Sequence, residues 1–150
     1  ALDSLAAEER ELAELVELYQ PQAEQQGIAL GVSSEPDRQV MGHRQLLAQA
    51  VANLIDNALK FTPAGGSVQL AAHADGARLV LTVADTGPGI PADERGRAIE
   101  PFVRLNETPS RDGSGLGLSL AAAVARLHGG SLRLEDNQPG LLVTMDLPLV

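Results

Sequence analysis

At 150 residues the chain is long enough for one domain with a real core and too short for two full ones. Hydrophobic residues make up 44% and aromatics only 2%, so the core must be Leu, Val and Ala. A net charge of −9 argues against nucleic acid or an anionic membrane surface as the main partner, and the absence of Cys excludes disulfides, thiolate metal sites and Cys nucleophiles, which suits a reducing cytoplasm.

The first 26 residues hold an acidic helix from Leu5 to Gln26, with Leu12, Leu15, Val16, Tyr19 and Ala23 on one face and Pro21 placed to kink or divide it. The acidic run Glu8-Glu9-Arg10-Glu11 reads as a solvated face. Ile28 to Ser33 and Gln39 to Met41 read as short strands around the turn Glu35-Pro36-Asp37. A second helix follows from Arg44 to Phe61, and Pro63-Ala64-Gly65-Gly66 turns the chain. Ser67 to His73 alternates, with Val68, Leu70 and Ala72 inward, and Asp75-Gly76 joins it as a hairpin to the strand Arg78 to Ala84. From Thr86 to Asp112 no strand pattern is visible, a length that predicts a functional lid with one short helical stretch near Asp93 to Ile99. A helix then runs through Leu120, Ala121, Val124, Ala125 and Leu127 to close at Gly129-Gly130, and Ser131 to Glu135 and Leu141 to Leu147 are the last strands. The sum is an α/β two-layer sandwich, helices on one face of a mixed sheet. No stretch approaches the roughly 20 apolar residues of a membrane span, and no signal peptide is evident.

Three segments carry chemistry. Wound at about 100° per residue, the Arg44 to Phe61 helix puts Leu47, Val51, Leu54 and Ala58 on one stripe. Asn53, Asn57 and Lys60 fall on nearly the opposite one, with Asp56 at its edge. Neutral amide oxygens suit a hard cation and an ammonium suits phosphate, so the stripe is a place for a metal-bound polyphosphate. Its bland alternative is the solvated side of an amphipathic helix, although Asn is a poor interior helix former. Next, Asp85-Thr86-Gly87-Pro88-Gly89-Ile90 sets a carboxylate where a strand stops. Its glycines let a flat ligand approach, and its Asp can accept a hydrogen bond from the exocyclic amine of adenine; a plain turn is the alternative. Lastly, Gly113-Ser114-Gly115-Leu116-Gly117-Leu118 opens a helix whose N-terminal N–H groups favour phosphate oxygens. The residues before it, Thr108 to Asp112, do not form a strand, so a Rossmann fingerprint fails on context, and no G-x-x-x-x-G-K-[ST] sequence is present.

In this order and at these separations the segments are specific. The chain resembles the catalytic ATP-binding domain of sensor histidine kinases, in the superfamily that includes DNA gyrase B, Hsp90 and MutL, from about residue 10 to its end. NLIDNALKFTP looks like the family's N box, DTGPGI its first glycine box, PFVRL its F box and GSGLGLSL its second glycine box. The resemblance implies a Bergerat-type ATP-binding fold with a mostly antiparallel sheet, and ATP and Mg²⁺ as ligands. It makes Asn57 the Mg²⁺ ligand, Lys60 a phosphate contact, Asp85 the partner of the adenine amino group and Arg104 a basic residue at the terminal phosphate. Asn53, Phe61, Gly87, Gly89, Ile90, Phe102, Gly113, Gly115, Leu116, Gly117 and Leu118 complete the implied nucleotide site, Phe102 as a lid anchor, and Thr144 is expected to help hold water near adenine. Asn57, Lys60 and Arg104 are the implied catalytic set, and with Arg111 the two cations stand out on an acidic chain.

Where the hydrolytic branches of the superfamily carry a Glu one turn before the Mg-binding Asn, this chain has Asn53. An amide is no general base near neutral pH, so hydrolysis is disfavoured while transfer to a well-placed nucleophile remains open. His43, His73 and His128 lack the sequence context of a phosphoacceptor in this family, and structural or surface roles are expected for all three. Glu100 and Asp112 read as solvated. The acceptor histidine is then expected on a dimerisation domain upstream of Ala1, residues 1–9 being the linker and 86–113 the lid, in a fragment of a larger sensor protein. That parent would be dimeric, cytoplasmic at this domain and often anchored in the inner membrane, with a response regulator as further partner. A serine/threonine kinase of the anti-sigma-factor type and a non-catalytic nucleotide-binding regulatory module are the alternatives from other classes.

Overall fold

The computed structural model describes residues 3–4, 8–34, 41–95 and 117–148. In chain order these form β1 (Asp3–Ser4), α1 (Glu8–Gln26), β2 (Ala29–Ser34), β3 (Met41–Gly42), α2 (Arg44–Phe61), β4 (Ser67–Asp75), β5 (Arg78–Asp85), a short 3₁₀ turn (Ala92–Glu94), α3 (Gly117–Leu127), β6 (Ser131–Asp136) and β7 (Leu141–Pro148). Five strands make one mixed sheet in the order β2-β4-β5-β7-β6, in which only β2 and β4 run parallel. That pair is parallel because α2 carries the chain back across the sheet between them, whereas the other neighbours are antiparallel. β1 and β3 form a separate two-residue ladder.

Alternation along the strands sends one set of side chains into the core. Val68, Leu70 and Ala72 of β4, Leu79, Leu81 and Val83 of β5, and Leu141, Val143, Met145 and Leu147 of β7 are all buried. They share one face because the register pairs Leu79 with Leu147, Leu81 with Met145 and Val83 with Val143. Against that face α2 buries Leu47, Ala50, Val51, Leu54, Ile55, Ala58 and Leu59, and α3 buries Leu118, Ala121 and Ala125. The α1 stripe packs as its periodicity predicts: Leu12, Val16 and Ala23 are buried, and Leu15 and Tyr19 lean on the same cluster.

Pro21 lies inside a single helix from Glu8 to Gln26. It removes one N–H from the ladder without dividing the helix, whose buried stripe continues to Ala23. Helix α1 is tied at its end by Gln20 Nε2, which donates to the Leu30 carbonyl of β2 at 2.7 Å. Helix α3 closes on a left-handed Gly129 (φ 80°), with Gly130 N–H donating to the Ala125 carbonyl at 2.8 Å.

His128, just past α3, is buried and bridges two helices. Its Nδ1–H donates to the Val124 carbonyl at 2.8 Å, and its Nε2 accepts the N–H of His43, the residue before α2, at 3.0 Å. Its role is structural, as the sequence suggests. The bond also orients the pair: the C-terminus of α3 meets the N-terminus of α2, so the two packed helices run antiparallel and α3 starts beside the later turns of α2.

Leu54 lies at the centre of this packing with 2% exposure. Leu54→Ala is expected to lower unfolding stability by about 2–5 kcal/mol, read from urea denaturation, and a loss well under about 1 kcal/mol would refute the core placement.

Candidate functional site

Asp85 is the last residue of β5 and belongs to the same inward set as Leu81 and Val83, so its carboxylate is delivered to the helix side of the sheet rim and is buried, with 4% exposure. Oδ1 accepts two backbone N–H groups, from Gly87 at 2.9 Å and from Leu141 at 3.1 Å. Among the described residues no donor is assigned to Oδ2, which leaves that oxygen able to accept from a ligand amine. Burial raises the pKa of Asp85 above the ordinary carboxylate value, and the two backbone hydrogen bonds oppose the rise.

The glycines after Asp85 serve the protein's own packing. A Cβ on Gly87 would come within 2.6 Å of the Phe61 carbonyl oxygen, so the end of α2 presses directly on the loop that follows β5. Gly89 takes φ 74° and has the Gly140 carbonyl oxygen 2.7 Å from where a Cβ would stand. Ile90 is half-buried against the core. These contacts bring the C-terminal turn of α2, with Lys60 and Phe61, against the Asp85 loop.

Along α2, Asn53, Asn57 and Lys60 lie on one stripe, the two amides half-buried and Lys60 exposed. Asn53 Oδ1 accepts from Gln49 Nε2 at 3.1 Å, while its buried Nδ2 has no partner among the described residues. A buried amide N–H without an acceptor costs stability unless something else meets it, and this atom is left able to donate to an acceptor beyond the described residues. Lys60 Nζ lies 3.5 Å from Asp56 Oδ2, an ion pair one turn apart. The antiparallel packing of α2 and α3 brings Gly117 and the positive end of the α3 dipole toward the Asn-bearing half of α2. Among the described residues a Cβ on Gly117 would meet nothing. Leu118, expected in the nucleotide site, is buried in the core cluster. Phe102, Arg104, Gly113, Gly115 and Leu116 lie outside the described residues, as do Glu100, Arg111, Asp112 and most of the expected lid.

Thr144 requires a correction. It pairs with Thr82, whereas Asp85 belongs to the alternate set with Leu81 and Val83, so Thr144 lies on the opposite face of the sheet from the carboxylate. There its hydroxyl faces Glu135 Oε1 at 3.5 Å. With a side-chain period of two, no hydroxyl at position 144 can reach the Asp85 side. The β7 residue that does touch Asp85 is Leu141, through its backbone N–H, and the turn before it adds Asn137, whose Nδ2–H donates to the Asp85 carbonyl at 2.7 Å. Backbone donors carry no sequence signature, and the run Asn137-Gln138-Pro139-Gly140 reads in sequence as an ordinary turn.

Residues 42–150 match the model of the histidine kinase-, DNA gyrase B- and HSP90-like ATPases. The chain belongs to that family. Among curated relatives, the signal transduction histidine-protein kinase/phosphatase MprB of Mycolicibacterium smegmatis is 43% identical over 116 residues, covering 73% of this chain and 24% of the relative. The chain thus spans about a quarter of the length of that relative. A solved mycobacterial sensor histidine kinase MprB superimposes with TM-score 0.82 at 31% identity over 99% of this chain and 98% of that one. Full-length ShkA in complex with AMPPNP gives TM-score 0.87 at 33% identity, covering all of this chain and 31% of ShkA. The five-stranded mixed sheet and its helices are the fold of histidine kinase catalytic domains.

The buried carboxylate sets a stability test. Because burial raises the pKa of Asp85 in the fold, the protonated state is favoured there, and its contribution to stability is present at low pH and lost as pH rises through the folded value. Asp85→Asn keeps an oxygen for both backbone N–H groups and removes the charge. The melting temperature of the variant is therefore expected to rise relative to the parent as pH goes from about 4 to about 7, and an opposite trend would show that the fold stabilises the ionised carboxylate.

Proposed function

We propose that this domain binds Mg-ATP and transfers its γ-phosphoryl group to a histidine on a separate dimerisation and phosphoacceptor domain of a two-component sensor kinase. The observation that carries the reading is the Asp85 carboxylate, one oxygen saturated by backbone N–H groups and the other, among the described residues, left to accept from the adenine amine. Support comes from family membership and from the AMPPNP complex of a relative with the same fold. At this position guanine would present a carbonyl, an acceptor facing an acceptor, so adenine is preferred.

The remaining residues divide the polyphosphate among them. The Nδ2–H of Asn53, without a partner among the described residues, meets a phosphate oxygen, and the amide oxygen of Asn57 suits a hard divalent cation better than a soft one. Mg²⁺ held there supplies neutralisation of phosphate charge. Lys60 leaves its Asp56 partner to face phosphate, a small cost because exposed pairs of this kind are weak. The N–H groups at the start of α3 add a positive dipole end, and Arg104 and the glycines from Gly113 to Gly117 join by sequence resemblance. Asn53 offers no base to activate water, which keeps the γ-phosphoryl for the incoming imidazole. In the transfer a nitrogen–phosphorus bond forms as the bond from the γ-phosphorus to its bridging oxygen breaks. ADP leaves with that electron pair, and the imidazole proton goes to solvent. Alignment and electrostatics supply the rate, with no covalent intermediate on this chain.

The acceptor domain and a response regulator are the partners this chemistry needs. Among the described residues no helix is long and apolar enough to cross a membrane. We place the domain in the cytoplasm, where ATP is available, with any membrane anchor elsewhere in the parent.

The direct test is transfer of labelled γ-phosphate from Mg-ATP to a phosphoacceptor domain, followed by acid and alkali treatment. An acid-labile, alkali-stable label is expected; an acid-stable one would indicate a Ser or Thr acceptor, and tight binding without label would indicate a regulatory module. Asn57→Ala is expected to lose most of the Mg-dependent part of ATP affinity in calorimetry, and equal losses with and without Mg²⁺ would remove it as the metal ligand.

A further inference from the structure

The turn between β6 and β7 is built onto Asp85 at three points. Asn137 Nδ2–H donates to the Asp85 carbonyl at 2.7 Å, and Leu141 N–H donates to its carboxylate at 3.1 Å. Between them Gly140, at φ 112°, passes so close that a Cβ there would come within 1.8 Å of the Asp85 carbonyl oxygen. The turn is braced internally: Asn137 N–H donates to the Gly140 carbonyl at 3.0 Å, and Gln138 N–H donates to Asp136 Oδ1 at 3.0 Å. On its other side the Gly140 carbonyl abuts Gly89, so the turn is wedged between the strand end and the loop that follows it.

Register explains why a side chain is needed here. The β5–β7 ladder ends at the pair Ala84 and Leu142, one residue short of Asp85. Beyond that point the Asp85 carbonyl has no strand partner on the β7 side, and the Asn137 amide replaces the missing backbone donor. A carboxylate recognises a ligand amine only if its free oxygen stays put, and a strand terminus is where a backbone frays most easily.

We infer that Asn137 is a positioning residue for Asp85: by clamping the Asp85 carbonyl it holds the free carboxylate oxygen in the direction required to recognise the purine amine. The inference rests on the adenine reading of Asp85. It predicts a loss of base discrimination in particular, since the residues assigned to phosphate stand on α2 and at the start of α3, and the hydrogen bond removed is made to Asp85 alone.

The experiment is calorimetric binding of Mg-ATP and Mg-ITP, whose base carries a carbonyl in place of the amine, to the parent chain and to Asn137→Ala and Asn137→Asp. The Asp variant keeps the shape but sets an acceptor against the Asp85 carbonyl, and it covers the case in which the Ala variant fails to fold by circular dichroism. The ratio of ATP to ITP affinity is expected to fall about five- to tenfold in either variant, with ITP affinity little changed, as the loss of one buried hydrogen bond implies. Asn137→Gln, which retains the amide donor, is expected to recover part of the ratio. An unchanged ratio in a folded variant, or a parallel loss for both nucleotides, would overturn the positioning role. A parent chain with no preference for ATP over ITP would instead overturn the adenine reading of Asp85.

Discussion

The constraint around which the rim of this domain is built is a buried carboxylate at the end of a sheet strand. Asp85 sits where a side chain ought to be apolar, at the end of the inward series Leu79, Leu81, Val83. Desolvation works against its charge, and the fold answers with two backbone N–H groups on one oxygen. The arrangement is costly for stability alone. A plain turn would place its Asp in water, whereas here the carboxylate is buried and, among the described residues, its second oxygen has no assigned donor.

Around that point the architecture follows from packing limits. The loop after β5 must pass under the end of α2, which only a residue without Cβ allows at Gly87, and the β6–β7 turn must cross the strand end, which only Gly140 allows. Helices α2 and α3 are locked antiparallel by the His43–His128 contact, and this brings an amide-rich helix face and a helix N-terminus to the same side of the sheet. The site is assembled from three distant stretches of chain because the sheet order β4-β5-β7 puts their ends side by side.

Much of this was legible in the sequence. Inward positions at Val68, Leu70 and Ala72, the α1 stripe from Leu12 to Ala23 and the α2 core stripe all emerged from periods of two and about 3.6. Element ends moved by a residue or two, as at β4, because ladder pairing extends a strand beyond what local composition implies. Thr144 shows the limit of pattern: a hydroxyl near the right place in sequence stands on the wrong face, because one position along a strand reverses the side chain's direction.

The sequence by itself determined which residue types are available: amides and a lysine at helical spacing on α2, an acid at a strand end, glycines before a helix. These are local properties, set by composition and period, and they suffice to indicate the family. Only the tertiary structure decided that the carboxylate is buried, that Leu141 and Asn137 hold it, and that Thr144 does not. Those facts depend on sheet register and on backbone groups from a turn more than fifty residues away in the chain, as with Leu141 and Asp85, 56 positions apart. Every non-proline residue carries the same N–H, so no residue type can announce which one a fold will bring to a given oxygen.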